Sequence, residues 1–190
     1  QKIDKNMYDA INNGIKISNG DIIGLIHSGD EYFNNKTIKE IVDNFKDGTN
    51  ILSGKIIFYK RKKITRLWDY KISKLNKYSC FKIAHTSLFL KRNLIKKTGL
   101  YSLKYSICSD TDFLFRLSKV KNTKFKFLNK FLIKMPVGGL STSNSFILRK
   151  IIEDFKIYYK NFNLLFIFFY LNKIIYKLIK LIVWKFKVNY

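Results

Sequence analysis

Apolar positions mark the elements of this chain before any motif does. Met7, Ile11 and Ile15 recur every four residues, which puts one apolar stripe on a helix over Asp4–Ser18. Asp4 is placed to cap its start and Gly20 to end it in a left-handed turn. Gly14 inside this helix costs about 1 kcal/mol relative to alanine and suggests a close approach of backbone or ligand. Ile22–Ile26 is a short isoleucine-rich run that suits a strand buried on both faces. Asp30 follows at its carboxyl end, where ligands gather in open α/β sheets, although a solvated turn acid is the commoner reading of such a pattern. Thr37-Ile38-Lys39-Glu40 reads as a capping box opening a helix through Phe45 that stops near Gly48.

The middle of the chain alternates strands and short helices. Ile51–Tyr59 reads as a strand with Gly54 inside it, followed by a basic turn over 60–63, and 64–79 is ambiguous. Phe81–Leu90 reads as a strand carrying His85, and Asn93–Lys97 as a helix closed by Gly99. Ser109 is placed to cap a helix over Asp112–Val120, where Asp112 and Arg116 stand four apart and can pair. Lys124–Met135 reads as one or two strands, ending at the loop Pro136–Ser141.

From Phe146 the character changes. Ile147–Tyr159 is a helix with mixed faces, Phe162–Tyr170 is almost wholly apolar, and Ile174–Phe186 is apolar apart from lysines. Lys173, Lys177, Lys180 and Lys185 fall near one helical face. No run reaches the roughly 18 apolar residues of a spanning helix. An amphipathic helix in a membrane interface fits, with Lys173, Lys177 and Lys180 toward anionic head groups and Trp184 at the boundary. A helix packed on the domain or in a dimer is the alternative.

Composition narrows this picture. The chain has 190 residues, 47% hydrophobic, enough for one domain with a real core. Its formal net charge of +24 points to an anionic partner: nucleic acid, membrane surface or phosphate-bearing substrate. Because lysine accompanies abundant Ile and Asn, part of that charge reads as compositional bias. The lysines are scattered and no nucleic-acid motif appears, so nucleic acid is not expected as a partner. Cys80 and Cys108 fit no metal spacing and read as thiols of a reducing compartment, with one disulfide as the alternative. The chain opens at Gln1 with no signal-peptide pattern, and a fragment is expected.

Five stretches together carry a resemblance. They are Met7–Ile15, Gly20–Gly24 with His27-Ser28-Gly29-Asp30, Ala84–Phe89, Ser109–Leu117 and Val137-Gly138-Gly139-Leu140-Ser141. In this order and at these separations they resemble the family 2 glycosyltransferases that build bacterial polysaccharides, including the colanic-acid type. The likeness runs from about Ile3 to Ser143. His27 stands where that branch usually has Asn, Gly29 where many members have a first Asp, and Ser109 where many have Glu.

The resemblance implies a GT-A fold: an α/β domain over 1–145 with a mixed, mostly parallel sheet flanked by helices. It lacks the family's first nucleotide-binding strands, and basic, apolar helices follow over 146–190. The implied activity is inverting sugar transfer from a nucleotide-diphosphate sugar to a hydroxyl of a saccharide acceptor. A lipid-linked acceptor at the cytoplasmic face of a membrane would account for the tail. The family's metal-binding acid maps onto Asp30, holding Mg²⁺ or Mn²⁺ on the diphosphate. Its general base maps onto Asp110. Donor contacts fall to Tyr8, Asn12, Ser28 and Gly29. His85, Asp112 and Arg116 fall on the acceptor or phosphate side, with bracing of the helix as the alternative for Asp112 and Arg116 and a satisfied, partly buried histidine as that for His85. An inactive fragment that only binds membranes or partners, or a basic nucleic-acid-binding domain, is the competing reading.

Overall fold

The computed structural model describes residues 4–138 and 146–188. The segment 139–145, which includes most of the expected Val137–Ser141 motif, lies outside the described residues. The elements in chain order are α1 (Met7–Ile17), β1 (Ile22–Gly24), β2 (Glu31–Tyr32), α2 (Thr37–Asp43), β3 (Ile51–Lys60), β4 (Lys63–Trp68), β5 (Leu88–Lys91), α3 (Arg92–Thr98), α4 (Ser109–Leu117), β6 (Phe125–Pro136), α5 (Ile147–Phe162) and α6 (Phe166–Val188).

One mixed sheet runs β1-β5-β3-β6-β2, with β4 also paired to β3. Side chains alternate across it with a period of two. Ile51 and Leu90, opposite each other, face α1, α3, α4 and α5, whereas Leu52 and Phe89 face α2. The first face holds the larger core, built on Tyr8, Leu88, Phe113, Phe115, Leu117 and Tyr158. The second is smaller, with Ile41, Ile56, Leu132 and Ile133. The expected class, α/β with a mixed sheet flanked by helices, is what the chain adopts.

The proportion of parallel pairing differs from expectation. Among the described strands only β3 and β6 run parallel, joined through the α3–α4 crossover that parallel neighbours require. β5 returns antiparallel to β3, and β1 and β2 pair antiparallel at the two ends of the strand order. β1 is therefore not a strand buried on both faces: Gly24 and Ile26 are exposed. A Cβ at Gly24 would lie 2.4 Å from the Phe89 ring, so glycine lets that ring pack flat against the strand. Gly54 serves similarly at the register shift of β3, where a Cβ would fall 2.6 Å from Leu132 Cδ1.

Several local expectations are corrected. Asn6, not Asp4, caps α1, accepting from the Tyr8 and Asp9 amides at 3.0 Å each; Asp4 instead accepts from the Asn13 amide group. The helix ends at an extended Ser18, so Gly20 needs no left-handed turn, and a Cβ at Gly14 would meet nothing within 4 Å. The capping box does not form, because Thr37 Oγ1 bonds Asn34 and Glu40 reaches Lys130 at 2.8 Å. Residues 80–87 form two short 3-10 turns before β5, and His85 sits on the second. Cys108 occupies the N-cap position of α4, while Ser109 is wholly buried. Both cysteines are free and buried.

The C-terminal helices join the same body. Ile157, Tyr158 and Phe162 of α5 and Phe166 of α6 enter the larger core. The expected membrane contacts of the lysines are overturned by their direction. Lys173 is buried and pairs with buried Asp154 at 2.7 Å. Lys177 lies over the Trp68 ring, 5.2 Å from its centroid, and Lys180 meets Asp69 at 3.2 Å. These lysines face the domain because its acids and aromatic rings lie beneath α6, and Trp184 is half-buried. Burial, and then the neighbouring Lys173, bring the Lys177 ammonium down to about 7. Breaking a buried pair from one side costs about 3–5 kcal/mol. Lys173→Met should therefore lower unfolding free energy by about that amount in urea titrations. Adding Asp154→Leu should restore most of the loss.

Candidate active site

A string of side chains links the two acids singled out in the sequence. Asp30 closes a tight turn after β1: its amide bonds the His27 carbonyl at 3.0 Å, and the His27 amide donates to Asp30 Oδ2 at 3.2 Å. Gly29 supplies the positive φ of +84° in this turn, with Pro136 packed against it. His27 Nε2 faces His85 Nε2 at 2.9 Å, the rings edge to face. His85 Nδ1 reaches Asp110 Oδ2 at 3.2 Å. Residues 80 positions apart in sequence thus share one site, half-exposed at both carboxylates.

Asp110 stands in the first turn of α4, where the helix dipole favours a negative charge. The Thr111 amide donates to its Oδ1 at 2.8 Å, and the Tyr8 hydroxyl lies 3.4 Å from the same oxygen. Burial works to raise this carboxyl, but the hydrogen bond and charge of His85, with the Thr111 amide, outweigh it and hold it at about 2. Asp110 is consequently ionised at neutral pH. Asp30 moves the other way: burial raises its pKa, opposed by the His27 amide and by His85. Burial and the facing His85 lower His27 to about 4, with Asp110 opposing, so that ring is neutral near pH 7. A neutral ring can give one N–H or accept one, as a 2.9 Å contact between two Nε2 atoms requires.

Two residues expected to touch donor do not face the site's open side. Tyr8 is buried and donates to the Ile107 carbonyl at 2.6 Å; burial, and then Asp110, push its phenol well above the usual range and keep it protonated. Asn12 is buried and spends both ends of its amide on the Tyr101 backbone, at 2.8 Å each. Both are braces set by the inward stripe of α1. Ser28 and Gly29 remain exposed beside Asp30. Asp112 and Arg116 also brace rather than line the site. Buried Asp112 takes Arg116 Nε at 2.7 Å, while the rest of that guanidinium bonds the Thr98 and Leu100 carbonyls.

Glu153 was not anticipated. From α5 it accepts from the Ser106, Ile107 and Cys108 amides at 2.9 Å each and from Ser106 Oγ at 2.8 Å. It thereby fixes the loop that delivers Asp110. A signal existed: after Asp112 the only acids are Glu153 and Asp154, and both are buried. The bridging of His27 to His85 had one too, since these are the only two histidines and both fall within motif stretches.

Among the described residues no three His, Cys, Asp or Glu side chains gather to hold a metal alone. Asp30 has one oxygen engaged by the His27 amide. Its other oxygen suits the single carboxylate contact that Mg²⁺ uses when substrate phosphates complete its shell.

The fold has counterparts among known proteins. No known family model matches the chain. It is 26% identical over 133 residues to an uncharacterized glycosyltransferase of Mycobacterium tuberculosis CDC 1551, and equally to its counterpart in strain H37Rv. That alignment covers 62% of this chain and 46% of each relative, so the chain spans about half the length of the curated relatives it matches. Among solved structures, it shares its fold with S. aureus TarS 1-349, at TM-score 0.58 and 12% identity over 70% of this chain and 40% of TarS. The TarS complex with UDP-GlcNAc superposes at TM-score 0.60, covering 73% of this chain and 41% of that one, with 12% identity. The chain is thus similar in sequence to proteins named as glycosyltransferases and shares its fold with TarS.

The His27 ring has a testable linkage. Its proton binds near pH 4 when folded and near 6.5 when unfolded, so the unfolded state holds more protons between those values. Its contribution to stability is full above pH 6.5 and is lost as pH falls toward 4. Denaturation curves at a series of pH values should show a shallower acid loss for His27→Asn than for the unaltered chain.

Proposed function

We propose that this chain forms the acceptor-side catalytic half of a glycosyltransferase that moves a sugar, with inversion, from a nucleotide-diphosphate sugar to a hydroxyl. The observation that carries the reading is the bridge Asp30–His27–His85–Asp110, which assembles two distant carboxylates at one half-exposed site. The sequence likeness to glycosyltransferases supports it, as does the likeness to TarS, whose solved forms include complexes with UDP-GlcNAc and UDP.

In this reading Asp110 accepts the proton of the incoming hydroxyl as its oxygen attacks the anomeric carbon, and the carbon–diphosphate bond breaks on the opposite side. Asp110 is ionised and ready, and its carboxylate is aimed by Thr111, Tyr8 and His85. A low pKa makes a weak base at rest; contact of the hydroxyl displaces water and raises the carboxylate's affinity for the proton. Asp30 would hold a divalent cation, Mg²⁺ or Mn²⁺, which supplies charge neutralisation to the leaving diphosphate. Ser28 and Gly29 lie on the donor side, and His85 separates the two halves of the site. The acceptor we favour is a lipid-linked saccharide at the cytoplasmic face of a membrane, in assembly of a surface polysaccharide.

The test uses a chain of full family length. Asp110→Asn should lower turnover about 10²–10⁴-fold while leaving donor affinity unchanged. Asp30→Asn should weaken metal-dependent donor binding, read by calorimetry with and without Mn²⁺. Normal turnover in both variants would overturn the assignment.

A further inference from the structure

The α5–α6 hairpin presents its polar side to the domain and its apolar side to solvent. On α6 the inward positions hold Lys173, Tyr176, Lys177 and Lys180, each engaged with Asp154, Trp68, Tyr70, Phe81 or Asp69. The outward positions hold Phe168, Leu171, Ile175, Leu178, Ile179 and Ile182, all exposed. A surface helix of a soluble domain shows the reverse arrangement. The orientation is not accidental, since a buried ion pair at 2.7 Å pins it. The connection between the helices continues the face: Leu164 is 88% exposed and Leu165 is 65% exposed. On α5, Leu148 and Ile152 extend it, with Arg149, Lys156 and Lys160 exposed on the same helix.

We propose that this face is a docking surface for an anionic lipid bilayer, on which the hairpin lies flat with its aliphatic side in the acyl boundary. Contiguous exposed apolar surface on this scale marks an interaction site. The charge selects the occupant. With a net charge of +24, two copies of this chain repel, whereas an anionic surface attracts each of them. Of the exposed cations of α5, Lys160 also reaches Asp112 at 3.5 Å, and Arg149 and Lys156 border the apolar side where phosphate head groups would meet them. The helix lies on the bilayer rather than crossing it. α6 is 23 residues, about 35 Å long, but none of the described helices is long and apolar enough to span. The binding mode inverts the one expected from the lysine pattern: aliphatic residues enter the membrane, and Lys173, Lys177 and Lys180 hold the helix to the protein. It stands independently of the reaction assigned to the Asp110 site, so a failed transfer assay leaves it untouched, and the reverse.

The experiment is flotation with vesicles of mixed phosphatidylglycerol and phosphatidylcholine, against phosphatidylcholine alone. The intact chain should float with the anionic vesicles. The triple variant Phe168→Glu, Leu171→Glu, Ile175→Glu should lose about tenfold or more of that binding, at unchanged circular dichroism. The hairpin-tip variant Leu164→Glu, Leu165→Glu tests the same face at residues outside the core, and should weaken binding in the same direction. Lys180→Gln should bind as the intact chain does. Binding that survives both apolar variants, or that Lys180→Gln abolishes, overturns the proposal. So does a tight dimer in lipid-free sedimentation that the same glutamates dissolve, which would make a second copy the occupant.

Discussion

The contact between His85 and Asp110 is the one on which the arrangement of the candidate site depends. Without it, only the Thr111 amide and the more distant Lys173 would oppose the upward push of burial on the Asp110 carboxyl. With it, the carboxylate stays charged, and the imidazole is held so that its other nitrogen meets His27. The two rings then carry the connection across to the turn that holds Asp30. One imidazole therefore helps keep one acid ionised and links it toward the other. That arrangement is stiff because each partner is fixed from behind: Asp110 by the start of α4, His85 by a 3-10 turn leading into β5, His27 by the turn after β1.

The same chain solves an electrostatic problem in its tail. A strongly cationic protein would ordinarily spread its lysines into water, since burying a lone ammonium is costly. Here the few available acids are placed under α6, and three lysines are spent on them and on aromatic faces. The consequence is a helix whose outward side is aliphatic although lysines recur along its sequence.

Much of the site was legible in the sequence, and the reasons for the gaps are physical. Motif order singled out Asp30 and Asp110, and the fold links the two through His27 and His85. Motif order could not separate Tyr8 and Asn12 from residues that touch a ligand, because a polar side chain that braces a loop and one that binds a substrate look alike until their partners are seen. His27 read as a mere departure from asparagine, since its meaning lies in a ring 58 positions away. The lysine stripe of α6 was found correctly as a stripe, but periodicity fixes which residues share a face and not which way that face turns. The strands suffered similarly. Ile22–Ile26 has the composition of a buried central strand, yet only Ile22, Ile23 and Gly24 pair, and with β5 alone, because β1 stands at the end of the strand order.

Glu153 gives the tail a meaning that its sequence does not advertise. The loop in front of Asp110 has no strand or helix to pair its amides; it borrows a carboxylate from α5 instead. The helical hairpin is thus not an appendage that can be trimmed to obtain a better-behaved protein. Cutting the chain before residue 153 would strip three amides of their acceptor and release the segment that leads into Asp110, so the exposed hairpin and the placement of that acid are tied to one another through a single glutamate.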